Sequence, residues 1–499
     1  MHYNFIDTVD LKKDYLELHN LDLDKYNDFD FKIHEKVIDD FYNKLIENRD
    51  LKFLIVGDYD CDGICATSII KNLLTSLNID HSFYIPSRLK EGYGLNKLIV
   101  DNAIKHNYNS IILVDNGVSC NESIEYAYQN NIKVFIIDHH NFDNLPKCEA
   151  IIHQNLLSSD FEYASAGELC FLLSLKYSFS DFNLVLGGLT ILSDYIMINS
   201  FNRFILKKMF NYLNDNEYIS LRLLNESDEY TNKSVTFNII PKINSVSRME
   251  NEKLNPNHIV KFLLGLYDNL NAISSNITSL NNKRKKDTSN IFNEIINNKY
   301  DGDYVFIVSE DINEGYCSSL STKLSNYYNK PVFVLSLKDG FAKGSGRSQN
   351  LDLYSLLEGY DKYISFGGHS HAVGINIKEK DIDDFKKYLD SIDLKQVDDI
   401  SEDLYIIDPS LVCDELINDI ESLAPFGNGY ELPLIGFEYR DYDKALLKGK
   451  YTKFFINDKV SCITFDEKFI GFNPEYIIGY IDRDSYKKGS FSMIIKDLI

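Results

Sequence analysis

The run Gly57-Asp58-Tyr59-Asp60-Cys61-Asp62-Gly63 holds the densest acidic signal in the chain. It follows a short apolar stretch, LKFLIVG (51–57), that reads as a buried strand. Carboxylates at alternate positions of an extended loop can converge on a hard cation. Without a cation they repel one another. The two glycines allow a tight backbone. The order D-x-D-x-D-G also fits the start of an EF-hand loop. That reading fails at the twelfth position, Ile69, where a bidentate Glu is required. It fails again because a strand, not a helix, comes first.

Two further apolar strands end in the same way. SIILVDNG places Asp115 at its carboxyl end, and KVFIIDHH places Asp138, His139 and His140 there. A single Asp at a strand exit says little. Consecutive strand–helix units that all end in Asp or His gather those side chains on one edge of one sheet, where ligands bind in parallel α/β folds. Asp194, in LTILSDYIM, adds a carboxylate after an apolar, helix-like run. Mixed Asp and His donors suit Mn²⁺, with Mg²⁺ or Zn²⁺ as alternatives. The set offers more carboxylates than one cation needs. That points to two divalent ions, a pairing suited to hydrolysis of phosphate esters.

The elements around these residues must form a parallel α/β sheet. Strand-like runs at 51–57, 81–86, 110–117, 133–138 and 150–155 alternate with helical stretches at 64–77, 95–106 and 120–131. Residues 1–45 read as a polar, acidic helical extension, and 46–250 as the catalytic domain. Residues 251–300 read as a connecting helix containing LNNKRKKD. Strands YVFIVS and PVFVLS open a second α/β unit over 301–398. The remaining 399–499 change to short strands with turn signals, the pattern of a small barrel.

Charge and composition narrow the function. The net charge of −23, from 52 basic and 75 acidic residues, argues against a general nucleic-acid coat protein and weakens long-range steering of DNA. A nuclease remains open, because bound cations reverse the local field of an acidic site. Lys283, Arg284, Lys285 and Lys286, and Lys444, Lys448, Lys450, Lys453, Lys487 and Lys488 among Tyr and Phe, offer local tracks for a single strand. Eight scattered cysteines show neither CxxC nor zinc-site spacing. There is no membrane-spanning run and no signal-peptide pattern. A cytoplasmic protein with reduced thiols and no membrane partner is expected.

These motifs resemble those of the DHH superfamily of metal-dependent phosphoesterases, named for the triplet seen here as Asp138-His139-His140. GDYDCDG is similar to its first motif, VDNG to its second and LSD to its fourth. Within the superfamily the resemblance runs furthest to the RecJ-like exonucleases. YIPSRLKEGYGL, IIPKINSVSRM, LNNKRKK, KGSGRS, FGGHSHAVG and LAPFGNGYELPL follow in the order of that family, from about residue 50 to 499.

The resemblance implies a parallel-sheet DHH domain, joined by a long helix to a smaller α/β DHH-associated domain, plus a C-terminal OB-fold barrel. It implies metal ligation by Asp60, Asp62, Asp115, His139 and Asp194, with Asp58 as ligand or outer acid. It gives His140 to the scissile phosphate and Asp138 to orienting the histidines. Arg88, Ser345 and Arg347 would hold the 5′ end or its phosphate, and Arg248 and His369 would line the cleft between lobes. The implied activity is 5′→3′ hydrolysis of single-stranded DNA to 5′-mononucleotides in DNA repair and recombination. Two divalent ions, Mn²⁺ first and Mg²⁺ second, would serve it, and a single-strand-binding protein or helicase would assist. Where the family has W-H-x-G-V-x-G, this chain reads INEGYCS, with Ile312 and Asn313 for Trp and His. The AAG before Arg248 reads SVS. Two other readings are a DHH phosphodiesterase acting on short RNA or cyclic dinucleotides, and a catalytically inactive replication or repair scaffold. The retained carboxylate–histidine set speaks against the second.

Overall fold

The structure, a computed structural model, describes residues 2–88, 91–249, 253–349, 351–394, 401–447, 451–465, 469–484 and 487–499. Lys448 and Lys450 of the expected basic track lie outside these residues.

After an opening strand β1 (His2–Asp7), the apolar runs form β2 (Phe53–Gly57), β3 (His81–Tyr84), β4 (Ser110–Val114), β5 (Lys133–Ile137) and β6 (Ala150–Ile152). β2 to β6 make one sheet in the order β3-β2-β4-β5-β6, every pair parallel. β2 and β4 are buried along their whole length. Strands covered on both faces are built from unbroken Val, Ile and Leu, as here. The register sets Gly57 beside Val114 and Val114 beside Ile137. The loops that begin at 58, 115 and 138 therefore leave the sheet at one edge.

The helices Cys61–Ser76, Ala166–Ser174 and Asp181–Ser193 pack together in one large core with this sheet. Ala166–Ser174 is buried at every position. A helix that is covered all round has no polar stripe, so its sequence shows no 3.6-residue period. The sequence pattern assigns it no element for that reason.

Glu168 stands out in this layer. It is fully buried, and neither carboxyl oxygen has a hydrogen-bond partner. Burial pushes its pKa up from 4.5 to about 8. The folded chain therefore keeps a proton that the unfolded chain gives up. Stability falls as pH rises from the unfolded value through about 8, and below that window the penalty vanishes. Glu168→Gln should remove this slope. Urea melts should show no gain at pH 4 and a gain of up to roughly 4 kcal/mol at pH 8. Parallel pH slopes for variant and wild type would refute the burial argument.

The second lobe carries β7 (Val305–Ser309), β8 (Val332–Lys338), β9 (Phe341–Arg347), β10 (Tyr363–His369) and β11 (Ala372–Lys378), in the order β10-β11-β9-β8-β7. The expected α/β unit is present, with a mixed sheet. Only β7 and β8 run parallel. Asp339 and Gly340 join β8 to β9 with both φ positive, which is the Asp-Gly hairpin turn. Between the lobes, the expected single helix is two, Pro256–Leu263 and Leu270–Ile295. Gly265, at φ +68°, ends the first, and Asn269 caps the second through the Ala272 amide.

β12 (Ser401–Ile406), β13 (Leu434–Glu438), β14 (Asp443–Leu447), β15 (Tyr451–Phe455), β16 (Val460–Thr464), β17 (Tyr476–Arg483) and β18 (Phe491–Leu498) join β1 in a third sheet, ordered β1-β12-β13-β17-β18-β16-β15-β14. β13 and β14 adjoin in sequence but pair at opposite ends of the run that starts at β13. Residues 439–442 alone separate the two strands, so the two ends of the run lie close together. That is the OB-like barrel, with β16 and β18 as its parallel pair.

The first residues depart from expectation. β1 pairs with β12 in parallel over all six of its residues, instead of being helical. The helix Leu11–Leu18 then packs on the helix Asp414–Leu423, and Tyr15 donates to the Glu431 carbonyl at 2.8 Å. A six-residue strand whose partner lies at the other end of the chain leaves almost no local signal.

Candidate active site

Each carboxylate at the sheet edge is fixed by its own backbone surroundings. Asp60 caps the helix Cys61–Ser76, accepting from the amides of Asp62 and Gly63 at 3.0 and 3.2 Å. A Cβ at Gly63 would lie 2.5 Å from the Asp58 carbonyl, so this loop closes only around glycine. Asp62 is fully buried and accepts from the amides of Ala166 and Gly167 at 2.8 and 2.6 Å. Those amides open the helix Ala166–Ser174, whose positive end suits an anion. Asp115 takes a left-handed φ of +60°, which Asp tolerates, while its amide donates to the Ile137 carbonyl.

These side chains converge. His139 Nε2 lies 3.3 Å from Asp115, 3.5 Å from Asp194 and 3.6 Å from Asp62. Ligand atoms of Asp62, Asp115, His139 and Asp194 all lie within 4.8 Å of one another, as do those of Asp58, Asp60 and Asp115. Asp115 belongs to both sets. One buried oxygen each of Asp58 and Asp115 has no hydrogen-bond partner. Burial, reinforced by neighbouring carboxylates, pushes Asp58, Asp62, Asp115 and Asp194 well above the usual carboxylate range. Carboxylates crowded in this way are relieved by added positive charge. The oxygen and imidazole donors of this cage fit divalent cations.

Asp138 behaves differently. Its oxygens accept from the amides of Val118 and His139 and from His140 Nδ1, at 3.0, 2.8 and 2.8 Å. Burial alone would raise it, but the bond and charge of His140 outweigh burial and hold it at about 2. Burial would likewise lower His140, and Asp138 overrides it to about 9. The Asp138 carboxylate thus favours the charged form of His140.

A cationic group adjoins the cage. Arg88 lies over the Tyr59 ring at 5.1 Å and feels the charges of Asp58 and Asp60. Arg347 donates to Ser318 Oγ and to the Gly346 carbonyl, each at 2.7 Å, and to Ser345 Oγ. Burial and Arg88 bring Arg347 down to about 10. Burial, with Arg88, Arg284 and Arg347, brings Arg248 down to about 9. Ser345 is buried and donates to the Val373 carbonyl at 3.0 Å. It holds Arg347 in place, where the sequence reading has it at the 5′ end itself. His369 closes β10, but its side chain lies outside the described residues.

Sequence reasoning missed several contributors. Tyr93 donates to the Asp115 carbonyl at 3.1 Å and lies 3.2 Å from His140 Nδ1. Asn116 ties the ends of β2 and β4 together through the carbonyls of Val56 and Val114. Both sit inside motifs already singled out, EGYGL and VDNG, yet nothing in their spacing sets them apart. Glu314 and Ser318 lie in the altered INEGYCS segment.

Residues 52–186 match the DHH family, N-terminal domain, and residues 301–392 match the DHHA1 domain. The chain is similar to the single-stranded-DNA-specific exonuclease RecJ of Bacillus subtilis (strain 168), at 27% identity over 83% of this chain and 55% of that protein. It is also similar to the exonuclease of the same name from Escherichia coli (strain K12), at 24% identity over 84% of this chain and 80% of that protein. The chain thus spans only about half the length of the Bacillus relative. The crystal structure of RecJ in complex with Mn²⁺ from Thermus thermophilus has the same fold, with a TM-score of 0.82 at 18% identity, over 100% of this chain and 79% of that one.

Proposed function

Because the chain is a RecJ-like member of the DHH family, we propose that it is a metal-dependent exonuclease that degrades single-stranded DNA from the 5′ end to 5′-mononucleotides. The observation that carries this reading is the pair of donor sets sharing Asp115. Asp58, Asp60 and Asp115 would hold one cation, and Asp62, Asp115, His139 and Asp194 the other. Bound there, the pair would activate water and neutralise phosphate charge. The imidazole among the donors favours Mn²⁺ over Mg²⁺.

The chain's own groups supply the rest. The amides of Ala166 and Gly167 keep Asp62 oriented. His140, with Nδ1 engaged by Asp138, offers Nε2 to a phosphate oxygen and brings a positive charge to it. Asp138 positions that ring and stays ionised. Arg88, Arg248 and Arg347 line the approach to the 5′ end, where a guanidinium fork suits phosphate oxygens. The OB-like barrel favours a long single strand over a cyclic dinucleotide. A helicase or single-strand-binding protein that presents a free end is the partner class this reaction calls for, and such a substrate would place the protein in the cytoplasm. No described helix is long and apolar enough to cross a membrane.

The test uses one oligonucleotide labelled at either end, in Mn²⁺. The 5′ label should appear in mononucleotide at the earliest times, and the 3′ label in a shortening ladder. Duplex, short RNA and cyclic dinucleotide should be cut far more slowly, and Asp62→Ala should be silent. Mononucleotide released first from the 3′ end would overturn the polarity.

A further inference from the structure

The cationic group beside the cage holds one acid with no part in the proposed hydrolysis. Glu314 opens the helix Glu314–Tyr328. One of its carboxyl oxygens lies 3.0 Å from Lys343 Nζ and 3.6 Å from Arg88 Nε. The side chain is only 18% exposed. The next residue, Gly315, packs tightly against the Arg248 carbonyl, which a Cβ there would approach to 2.1 Å. Asn313 caps the same turn through the Gly315 amide at 2.8 Å. Glu314 and Lys343 both line a cavity of about 1010 Å³, which gives the carboxylate room to turn aside.

Arg88 is thus drawn two ways, toward Asp58 and Asp60 of the cage and toward Glu314. A guanidinium receives carboxylate and phosphate oxygens through the same donors. No hydrogen bond holds the carboxylate to Arg88 Nε, but it stands within ion-pair reach of Arg88 and Lys343, in the field that a terminal phosphate would need.

We propose that Glu314 is a specificity-determining residue for the 5′ end. Its carboxylate occupies the Arg88–Lys343 seat in the free protein and competes there with a 5′-phosphate, which levels the preference between 5′-phosphate and 5′-hydroxyl ends. This rests on the exonuclease reading. It differs from an ion pair that merely orients Arg88, because removing the carboxylate then helps the phosphate instead of harming it.

The test measures binding of the full chain to short 3′-fluorescein oligothymidylates with a 5′-phosphate or a 5′-hydroxyl, by anisotropy, with EDTA present to prevent cleavage. Glu314→Gln should tighten the phosphorylated strand about tenfold and leave the hydroxyl strand within about twofold. Glu314→Ala should act in the same direction, and a melting scan checks that both variants fold. An unchanged ratio, or weaker binding of the phosphorylated strand, overturns the proposal. So does a wild type that already binds the phosphorylated strand more than about tenfold tighter than the hydroxyl strand, whatever the variants do. Absence of cleavage by the wild type in Mn²⁺ would instead strike the exonuclease reading, and this binding ratio would still be readable.

Discussion

Asp115→Asn should lower strand hydrolysis on the order of 10³-fold, a loss of about 4 kcal/mol of transition-state stabilisation. The expectation comes from position, since Asp115 is common to both donor sets. Asn keeps the left-handed φ of +60° and nearly the same volume, so the turn after β4 and its amide bond to Ile137 persist. The charge is what goes. Metal content by equilibrium dialysis should drop, while the metal-free variant should melt above the metal-free wild type, because a crowded buried carboxylate has gone. Hydrolysis within about tenfold of wild type would remove Asp115 from its shared role.

Stripping the metal should have the second large effect. In EDTA, hydrolysis should cease and the melting temperature should fall. An ion held at a hundred times its Kd contributes about 2.7 kcal/mol, so two contribute roughly 5. For a domain of this size that corresponds to on the order of 10 °C. Mn²⁺ should restore more activity than Mg²⁺, because His139 stands among the donors. Coincident melts in EDTA and Mn²⁺ would mean that the cage binds neither ion.

The cage was legible because a strand exit writes its functional residue directly after an apolar run. β2, β4 and β5 announce Asp58, Asp115 and Asp138 in that way. The supports were not legible, because they come from distance. The amides that hold Asp62 belong to Ala166 and Gly167, more than a hundred positions away, on a helix too evenly apolar to show a period. Nothing in the sequence marks Arg203, yet it is buried and donates to the carbonyls of Ala424 and Pro425 at 2.8 and 3.1 Å, joining the catalytic body to the barrel. Order along the chain singled out Arg88, Arg248 and Arg347, which stand near one another beside the cage. It could not tell that Ser345 spends its hydroxyl on Arg347, since a serine facing inward and one facing a ligand read alike.

The pairing of β1 with β12 ties the calendar of synthesis to the finished shape. β1 is synthesised well before β12, the strand it pairs with, and His2 is set against Ser401. Loop-closure entropy grows only with the logarithm of length, so joining ends so far apart costs roughly 5 kcal/mol. The delay itself carries the greater hazard. Until β12 emerges, β1 is an unclaimed edge that another nascent chain can take. Once formed, the arrangement reverses that exposure, because β1 caps the flank of β12. Clipping the first seven residues would leave β12 bare, and the trimmed molecules would then associate with one another through the barrel.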